Sequence, residues 1–598
     1  MHTKFKRALY ITLALIMLAG AAGLMGPIQT RREKYDLGST PVKGVSPEMA
    51  AATQALGAFR GIMLDLVWIR LQYLKRQGRF FEMVQLSDMA CKLAPHFTKV
   101  WQFHAWNLAF NVSVEISYLP DRWSWVKSGI EVLRDKAIPL NPQEPELYNE
   151  LSRLYLTKVA GRKDDAHMFY KAQFGSTMHL VLGGQGTPEK LKKLKAAPKT
   201  RAELLKQDGV KELREECRNH GFDPISVNNF FTYLGRPESV KAEVKEVLES
   251  SSHEEAVNTI ETYVRAQRLR DKYRLEPEKM LQMMRQYASE KREYLPFDWR
   301  SPYPHAIYWA TRAVEVAQQV KKAIIERRKE FGITPEDLSG DIQDLPEWIY
   351  REIDYDRRVY TAFQGLVRHG RLVYNKSGEL QTIMGPNYQY IDAMLKIYEK
   401  MLDKYGRTPF VRSVRASHRN FLRRMAVEMY LMGTPEKAAG YWKMWAEKYK
   451  EDDYDKDFAA FIDDAVEQWV QQMNQTDARR MVRGLLTRAF LYWGSNQSQR
   501  AARVQTQAQN LAREWNQSPT ATKTARWRIP YEEIRTQVLM DILSGRVQLS
   551  ESIVETLKDQ LDDETLQALQ EQIPEEQPRR LTPPEMQRRF RYSPDESE

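Results

Sequence analysis

The apolar residues of this chain recur with the period of a helix rather than that of a strand, and this regularity removes most folds from consideration. Leu56, Phe59, Met63, Leu66 and Val67, then the stretch from Ile69 to Leu74, fall at i, i+3 and i+4 spacings. Arg79 to Leu93 repeats the pattern after a stop at Gly78. No run of alternating β-branched residues bounded by hairpin turns occurs, so a sheet-based fold is disfavoured and the chain reads as all-α. With 598 residues it exceeds what one hydrophobic core serves, which calls for several units or a stacked array.

The N-terminus carries a different signal. Lys4, Lys6 and Arg7 precede an uncharged run from Ala8 to Gly26, which at about 1.5 Å per helical residue just spans a hydrocarbon core of roughly 30 Å. The basic side chains stay on the cytoplasmic side, so the body that follows is expected outside the cytoplasm. Two forms of this reading stay open. The run is either a retained inner-membrane anchor with a periplasmic body, or a signal peptide cleaved near Ala19, Gly20 and Ala21, leaving a periplasmic or secreted protein. No cysteine stands here to carry a lipid anchor. A mean hydropathy of -0.60 excludes a polytopic membrane protein.

Within the body, prolines punctuate helix pairs at a fixed distance from small and aromatic residues. Pro95 lies five residues after Ala90 and six before Trp101, with Ala105 and Leu108 following. Pro142 lies five after Ala137 and six before Tyr148, with Leu151, Ser152 and Tyr155, then Ala166 and Tyr170. Leu422, Met425, Ala426 and Met429, then Ala438 and Trp442, keep the same internal spacing, with Thr434 and Pro435 placed as cap and first-turn residues. Leu485, Ala489, Tyr492, Ala501 and Ala508 keep it again, although Gln505 stands where an aromatic is expected. This pattern resembles the tetratricopeptide repeat (TPR) family, in which stacked helix pairs form an α-solenoid. The resemblance implies a concave groove that binds a protein or peptide partner, and it assigns Trp101 and Trp442 to interhelix packing.

The expected organisation is a signal anchor or signal peptide over 1–30, TPR-like repeats over 46–180, and a basic loop and helical insertion over 181–300. A helical region with further repeats follows over 301–520, then C-terminal helices over 521–573 and a disordered Pro/Arg/Glu-rich tail over 574–598. Thr334-Pro335-Glu336-Asp337 marks a helix start, and Ser550 to Gln572 reads as an acidic helix. The basic stretch carries Lys190, Lys192, Lys193 and Lys195, which are candidates for an anionic lipid or another anion. The overall charge of +11 comes from 90 basic against 79 acidic residues scattered along the chain, and nucleic acid is not expected as a partner.

The motifs of catalysis are missing. No nucleophile elbow, phosphate loop or HExxH is present, and Gly183-Gly184-Gln185-Gly186 has neither a strand before it nor a Lys-Ser/Thr pair after it. No catalytic residue, metal or cofactor is therefore assigned. His104, His167 and His305 sit among aromatic residues and are weighed as core histidines against members of a site; Asp164 and Asp165 precede His167 as a carboxylate partner or as helix-start charges. Cys91 and Cys217 read as buried free thiols. Trp123 and Trp125 lie outside the repeat spacing and are candidate partner contacts. Together these features point to a membrane-tethered, non-catalytic scaffold for protein-protein interaction in the cell envelope. The competing reading is a helical-toroid enzyme or a glycan-binding envelope protein, which requires two convergent carboxylates in an aromatic cleft.

Overall fold

A computed structural model describes residues 59–290, 292–330, 347–370, 386–406, 408–431, 434–449, 458–462, 474–522, 528–545, 547, 551–562 and 566–569, with Thr12, Met17 and Gly20 as isolated positions. Regular structure among them is helical throughout, and no strand is present. Apart from Thr12, Met17 and Gly20, the segment Ala8 to Gly26 lies outside the described residues, as do the expected helix start at Thr334, the tail 574–598 and part of the stretch from Ser550 to Gln572. No described helix is long and apolar enough to cross a membrane. The described chain divides into two compact units, with the division between Met394 and Leu395.

The first unit opens with helix pairs. Helices α1 (Phe59–Arg76) and α2 (Phe80–Leu93) form one pair, and α3 (Thr98–Trp106) and α4 (Leu119–Glu131) the next. Helices α5 (Pro145–Arg153) and α6 (His167–Leu182) follow as the third, meeting through the turn Leu154–Val159 that continues α5. The prolines of the sequence pattern have a physical job at these junctions. Trp101 donates its indole N–H to the Pro95 carbonyl at 2.8 Å, and Tyr148 donates its hydroxyl to the Pro142 carbonyl at 3.0 Å. The same six-residue spacing thus closes the same loop twice, giving the proline carbonyl just beyond each helix end a partner. Asn141 reinforces the link between pairs by donating to Pro95 O at 2.9 Å.

Small residues set the distance between helices. A Cβ at Gly129 of α4 would stand 2.8 Å from the carbonyl oxygen of Ala105 in α3 and 3.0 Å from the Ala109 Cβ, so the backbones approach where only glycine and alanine fit. Helices α3, α4 and α5 each run on into a π-helical turn, at Asn107–Val112, Val132–Ala137 and Leu154–Val159. Such wide turns rotate the residues beyond them and are frequent at functional sites.

The stretch expected as a basic loop and helical insertion carries a set of helices. Its members are α7 (Pro188–Ala196), α8 (Val210–Asn219), α9 (Val227–Gly235), α10 (Ala242–Glu249), α11 (Glu254–Asp271) and α12 (Pro277–Gln286). Thr187 caps α7 with its hydroxyl towards the Lys190 N–H, and Pro188 occupies the first turn, where its missing N–H costs nothing. Leu191 and Leu194 are buried while the lysines between them reach water. Helix α13 (Pro302–Glu330) then packs along α5, and α14 (Glu347–His369) pairs with α13. Ser152 of α5 donates to Ala306 O of α13 at 2.6 Å.

Helix α15 (Ile391–Lys404) runs across the division between the units. The second unit holds the pair α16 (Val411–Leu431) and α17 (Pro435–Lys448), and the pair α18 (Gln475–Gly494) and α19 (Ser498–Gln517). Helices α20 (Tyr531–Leu543) and α21 (Glu551–Asp559) pack on α18. Leu485, Ala489 and Ala508 are buried in its core together with Val504, Leu511 and Trp515. Trp442, expected as a core residue, is half-buried at the border of a cluster in which Trp445 is the buried tryptophan. Trp445 lies three positions further along the same helix, so the spacing located the apolar stripe and misplaced its centre.

Candidate binding groove

One groove in the first unit has an aromatic floor. Trp68 of α1, Phe97 just before α3, and Phe103 and Trp106 of α3 line an open hollow of about 440 Å³. Its rim carries Lys99 and Gln102 of α3 with Glu150 and Arg153 of α5. The first helices of three successive pairs therefore build it, so no single stretch of sequence contains it. Trp68 and Phe103 meet with ring centroids 5.1 Å apart, while Trp106 stacks on Phe110 at 3.8 Å. The Arg153 guanidinium lies 4.0 Å above the Trp106 ring, a cation–π contact made beside its pairing with Glu150.

The rim charges are balanced. Lys99 pairs with Glu146 at 2.6 Å, Gln102 donates to the same carboxylate at 3.3 Å, and Arg153 pairs with Glu150. A ligand here meets apolar rings at the centre and paired polar groups at the edge, which is the layout of a protein interface rather than of an ion site. Glu146 and Glu150 are two carboxylates one helical turn apart beside an aromatic cleft, yet each is already engaged by a cation.

Beyond Phe110 the aromatic line continues into a buried polar knot. Lys158 lies 5.1 Å from the Phe110 ring and 5.7 Å from the Tyr170 ring, and Trp123 stacks on Tyr170 at 5.7 Å. Arg122 reaches Asp164 at 2.8 Å and Asp165 at 2.6 Å, and Lys158 also pairs with Asp164. Burial pushes the Asp164 carboxyl up, but the hydrogen bonds from Lys158 and the Ala166 N–H and the nearby Lys158 and Arg122 charges outweigh it and hold it below its ordinary value. Lys171, wholly buried, donates to Gly161 O at 2.7 Å; burial and the Arg162 charge, opposed by Asp164, push its ammonium down to about 7.

The residues singled out from sequence scatter around this framework. Trp123 is half-buried against Tyr170, and Trp125 meets Phe81 edge-on at 5.9 Å; neither lines the groove. Asp164 and Asp165 join Arg122 rather than a histidine. His104 Nδ1 shares a 2.7 Å hydrogen bond with the Ser87 hydroxyl, which also lies 2.6 Å from Met83 O and 3.1 Å from Val84 O within its own helix. Burial pushes the His104 imidazole down to about 4 against the pull of Asp88. His305 lies between Tyr155, Phe174 and Trp299, donates to Trp299 O at 2.9 Å, and is pushed down by burial to about 4. His167 meets Lys171 at 3.3 Å. These three histidines thus have three unrelated sets of partners.

The four lysines of α7 also part company. Lys190 donates to Gly183 O at the end of α6, Lys192 lies 5.1 Å from the Tyr294 ring, Lys195 pairs with Glu278 at 2.9 Å, and Lys193 is exposed. Cys91 and Cys217 are buried free thiols, each pushed up first by burial, Cys217 to about 11. Among the described residues no cluster of His, Cys, Asp and Glu side chains could hold a metal ion. Trp68, Phe103 and Trp106 were not marked by sequence reasoning as contacts. The available signal was their place on the first helices of successive pairs, off the Ala105 packing side. Compared with protein-family models, curated proteins and solved structures, the chain matches none.

Proposed function

We propose that this protein is a membrane-tethered, non-catalytic scaffold of TPR-like helix pairs, and that the groove of α1, α3 and α5 binds a protein or peptide partner in the cell envelope. The observation that carries this reading is the groove itself: Trp68, Phe103 and Trp106, half-buried, line one open hollow on the first helices of consecutive pairs, with Lys99, Gln102 and Arg153 around them. In a stacked array those first helices line the concave face, where aromatic anchors bind a partner's side chains while the polar rim meets its main chain. The repeated Trp101–Pro95 and Tyr148–Pro142 hydrogen bonds support the repeat reading. The tether is the run Ala8 to Gly26, which places the body on the periplasmic side of the inner membrane or, if cleaved, free beyond it.

The ligand is read as an apolar or aromatic side chain on an extended or helical segment, because the rim cations are matched by Glu146 and Glu150. Selecting a displayed random-peptide library on the full chain tests this. Wild-type protein should enrich a shared motif bearing a large apolar residue, and Phe103→Ser should not enrich it. A selection that converges equally on both proteins would move the site elsewhere. A glycan-binding reading finds support in the Trp68 ring beside two carboxylates; binding on a glycan array that Trp68→Ala abolishes, with no peptide motif, would favour it.

A further inference from the structure

Helix α1 is apolar on two sides. Val67, Leu71 and Leu74 are buried where it packs on its neighbours. On the other side Ile62, Leu66, Ile69 and Tyr73 are exposed, at 57%, 56%, 64% and 45%. At 100° per residue these four fall within an arc of about 60°, so they form one stripe along the helix. Apart from Met17 and Met444, every exposed large apolar side chain among the described residues lies between Ile62 and Tyr118. A helix with two apolar sides is built to be covered on both.

Charge chooses the cover. Arg60, Arg70, Lys75 and Arg76 stand on α1 against Asp65 alone. Arg70 and Arg76 border the stripe on its two edges, and the Arg70 guanidinium lies 5.2 Å from the Tyr73 ring. An apolar stripe edged by arginine, with a tyrosine at its C-terminal end, matches the layered chemistry of a bilayer surface: acyl chains below, phosphates beside, and an interfacial band that favours amphipathic rings. Helix α1 is also the first described helix to follow the run Ala8 to Gly26 in sequence.

We propose that the stripe Ile62, Leu66, Ile69 and Tyr73 lies against the anionic surface of the membrane, with Arg70 and Arg76 on lipid phosphates. This rests on the reading that the N-terminal run brings the chain to a membrane. Docking by α1 would hold the groove at a fixed height above the bilayer and leave α3 and α5 open to a partner.

The test uses the full chain reconstituted in vesicles containing phosphatidylglycerol. The native thiols Cys91 and Cys217 are buried, so an environment-sensitive fluorophore on Ile69→Cys reports the stripe, and one on the exposed Glu246→Cys serves as control. The Ile69 label should be blue-shifted and quenched by nitroxide-bearing lipid at least threefold more strongly than the control. That quenching should fall at least twofold in phosphatidylcholine vesicles or in Arg70→Gln/Arg76→Gln protein. An unquenched Ile69 label would overturn the proposal. So would a blue shift without nitroxide quenching, the sign of a second copy or an upstream segment over the stripe. Equal quenching in both lipids would overturn the role given to the arginines. Flotation of the same vesicles reads the tether separately: protein that floats with an unquenched label keeps the tether and loses the docking face, and protein that sinks loses the tether.

Discussion

The helix pairs α1 to α6 and the pairs around α18 and α19 are built from similar spacings but held together by different physics. The first region buries Ser87, His104, Asn107, Arg122, Arg134, Asn141, Lys158 and Lys171 among its apolar residues, and three of its helices run into π turns. The second is an apolar core of alanine, valine, leucine and Trp515, in which Asp541 and Ser518 are the buried polar residues. Buried polar groups cost stability unless fully paired, so a region that keeps them is constrained by something other than stability. The aromatic groove belongs to that first region. The lesson is that the part of the array departing furthest from simple packing is the part to interrogate for binding.

The largest effects should expose this difference. Asp164→Ala leaves Arg122 and Lys158 facing each other without their shared carboxylate, and should cost about 3–5 kcal/mol in chemical denaturation of the first unit. Asp541→Ala in the second region should cost less, because its partner Arg483 is 41% exposed and can return to water. Equal losses would erase the distinction. The converse holds for the apolar core, where Trp515→Ala should cost about 3–5 kcal/mol and the half-buried Trp442 clearly less.

Lys171 gives a pH signature confined to the first region. Its ammonium titrates near 7 when folded and near its ordinary value of 10.5 when unfolded, so between those values the unfolded chain holds more protons. Stability of the first unit should therefore rise with pH across that window, by up to about 1.4 kcal/mol per pH unit, and Lys171→Met should flatten the rise. A flat profile in the wild type would mean the ammonium reaches water. Asp164 acts oppositely at low pH. Its carboxyl lies below the ordinary 3.8, so its contribution is present at neutral pH and is lost as the pH falls through the lowered value. The smallest effect should be that of Trp123→Ala, which removes a half-buried ring stacked on Tyr170 at 5.7 Å. About 0.5–1.5 kcal/mol beyond the lost burial is expected, and a melting curve as perturbed as that of Trp101→Ala would make Trp123 a core residue.

Helical periodicity made the fold class legible, because an i, i+3, i+4 stripe has no other use at that length. The junction residues Pro95, Trp101, Pro142 and Tyr148 were legible too, since their hydrogen bonds are local. The groove was not. Trp68, Phe103 and Arg153 come from three helices, and only packing brings them to one face. The polar knot was half-visible: Asp164 and Asp165 drew attention beside His167, but their partner Arg122 is 42 and 43 residues away. The π turns left no trace in sequence, because each fits the helical pattern on either side of it. In the Gly183 to Lys211 stretch composition displayed the lysines but not the capped helices in which Leu191, Leu194 and Leu204 are buried between them.

The central claim is that a partner sits on the aromatic floor between α1, α3 and α5. A photoreactive amino acid placed at Gln102, on the groove rim, and at the exposed Gln509 of α19 tests it in intact cells. Irradiation should trap one discrete protein adduct at Gln102, absent when Trp106→Ala is added, and none at Gln509. A Gln102 adduct that survives Trp106→Ala, or no adduct in cells where Gln509 captures one, would contradict the account.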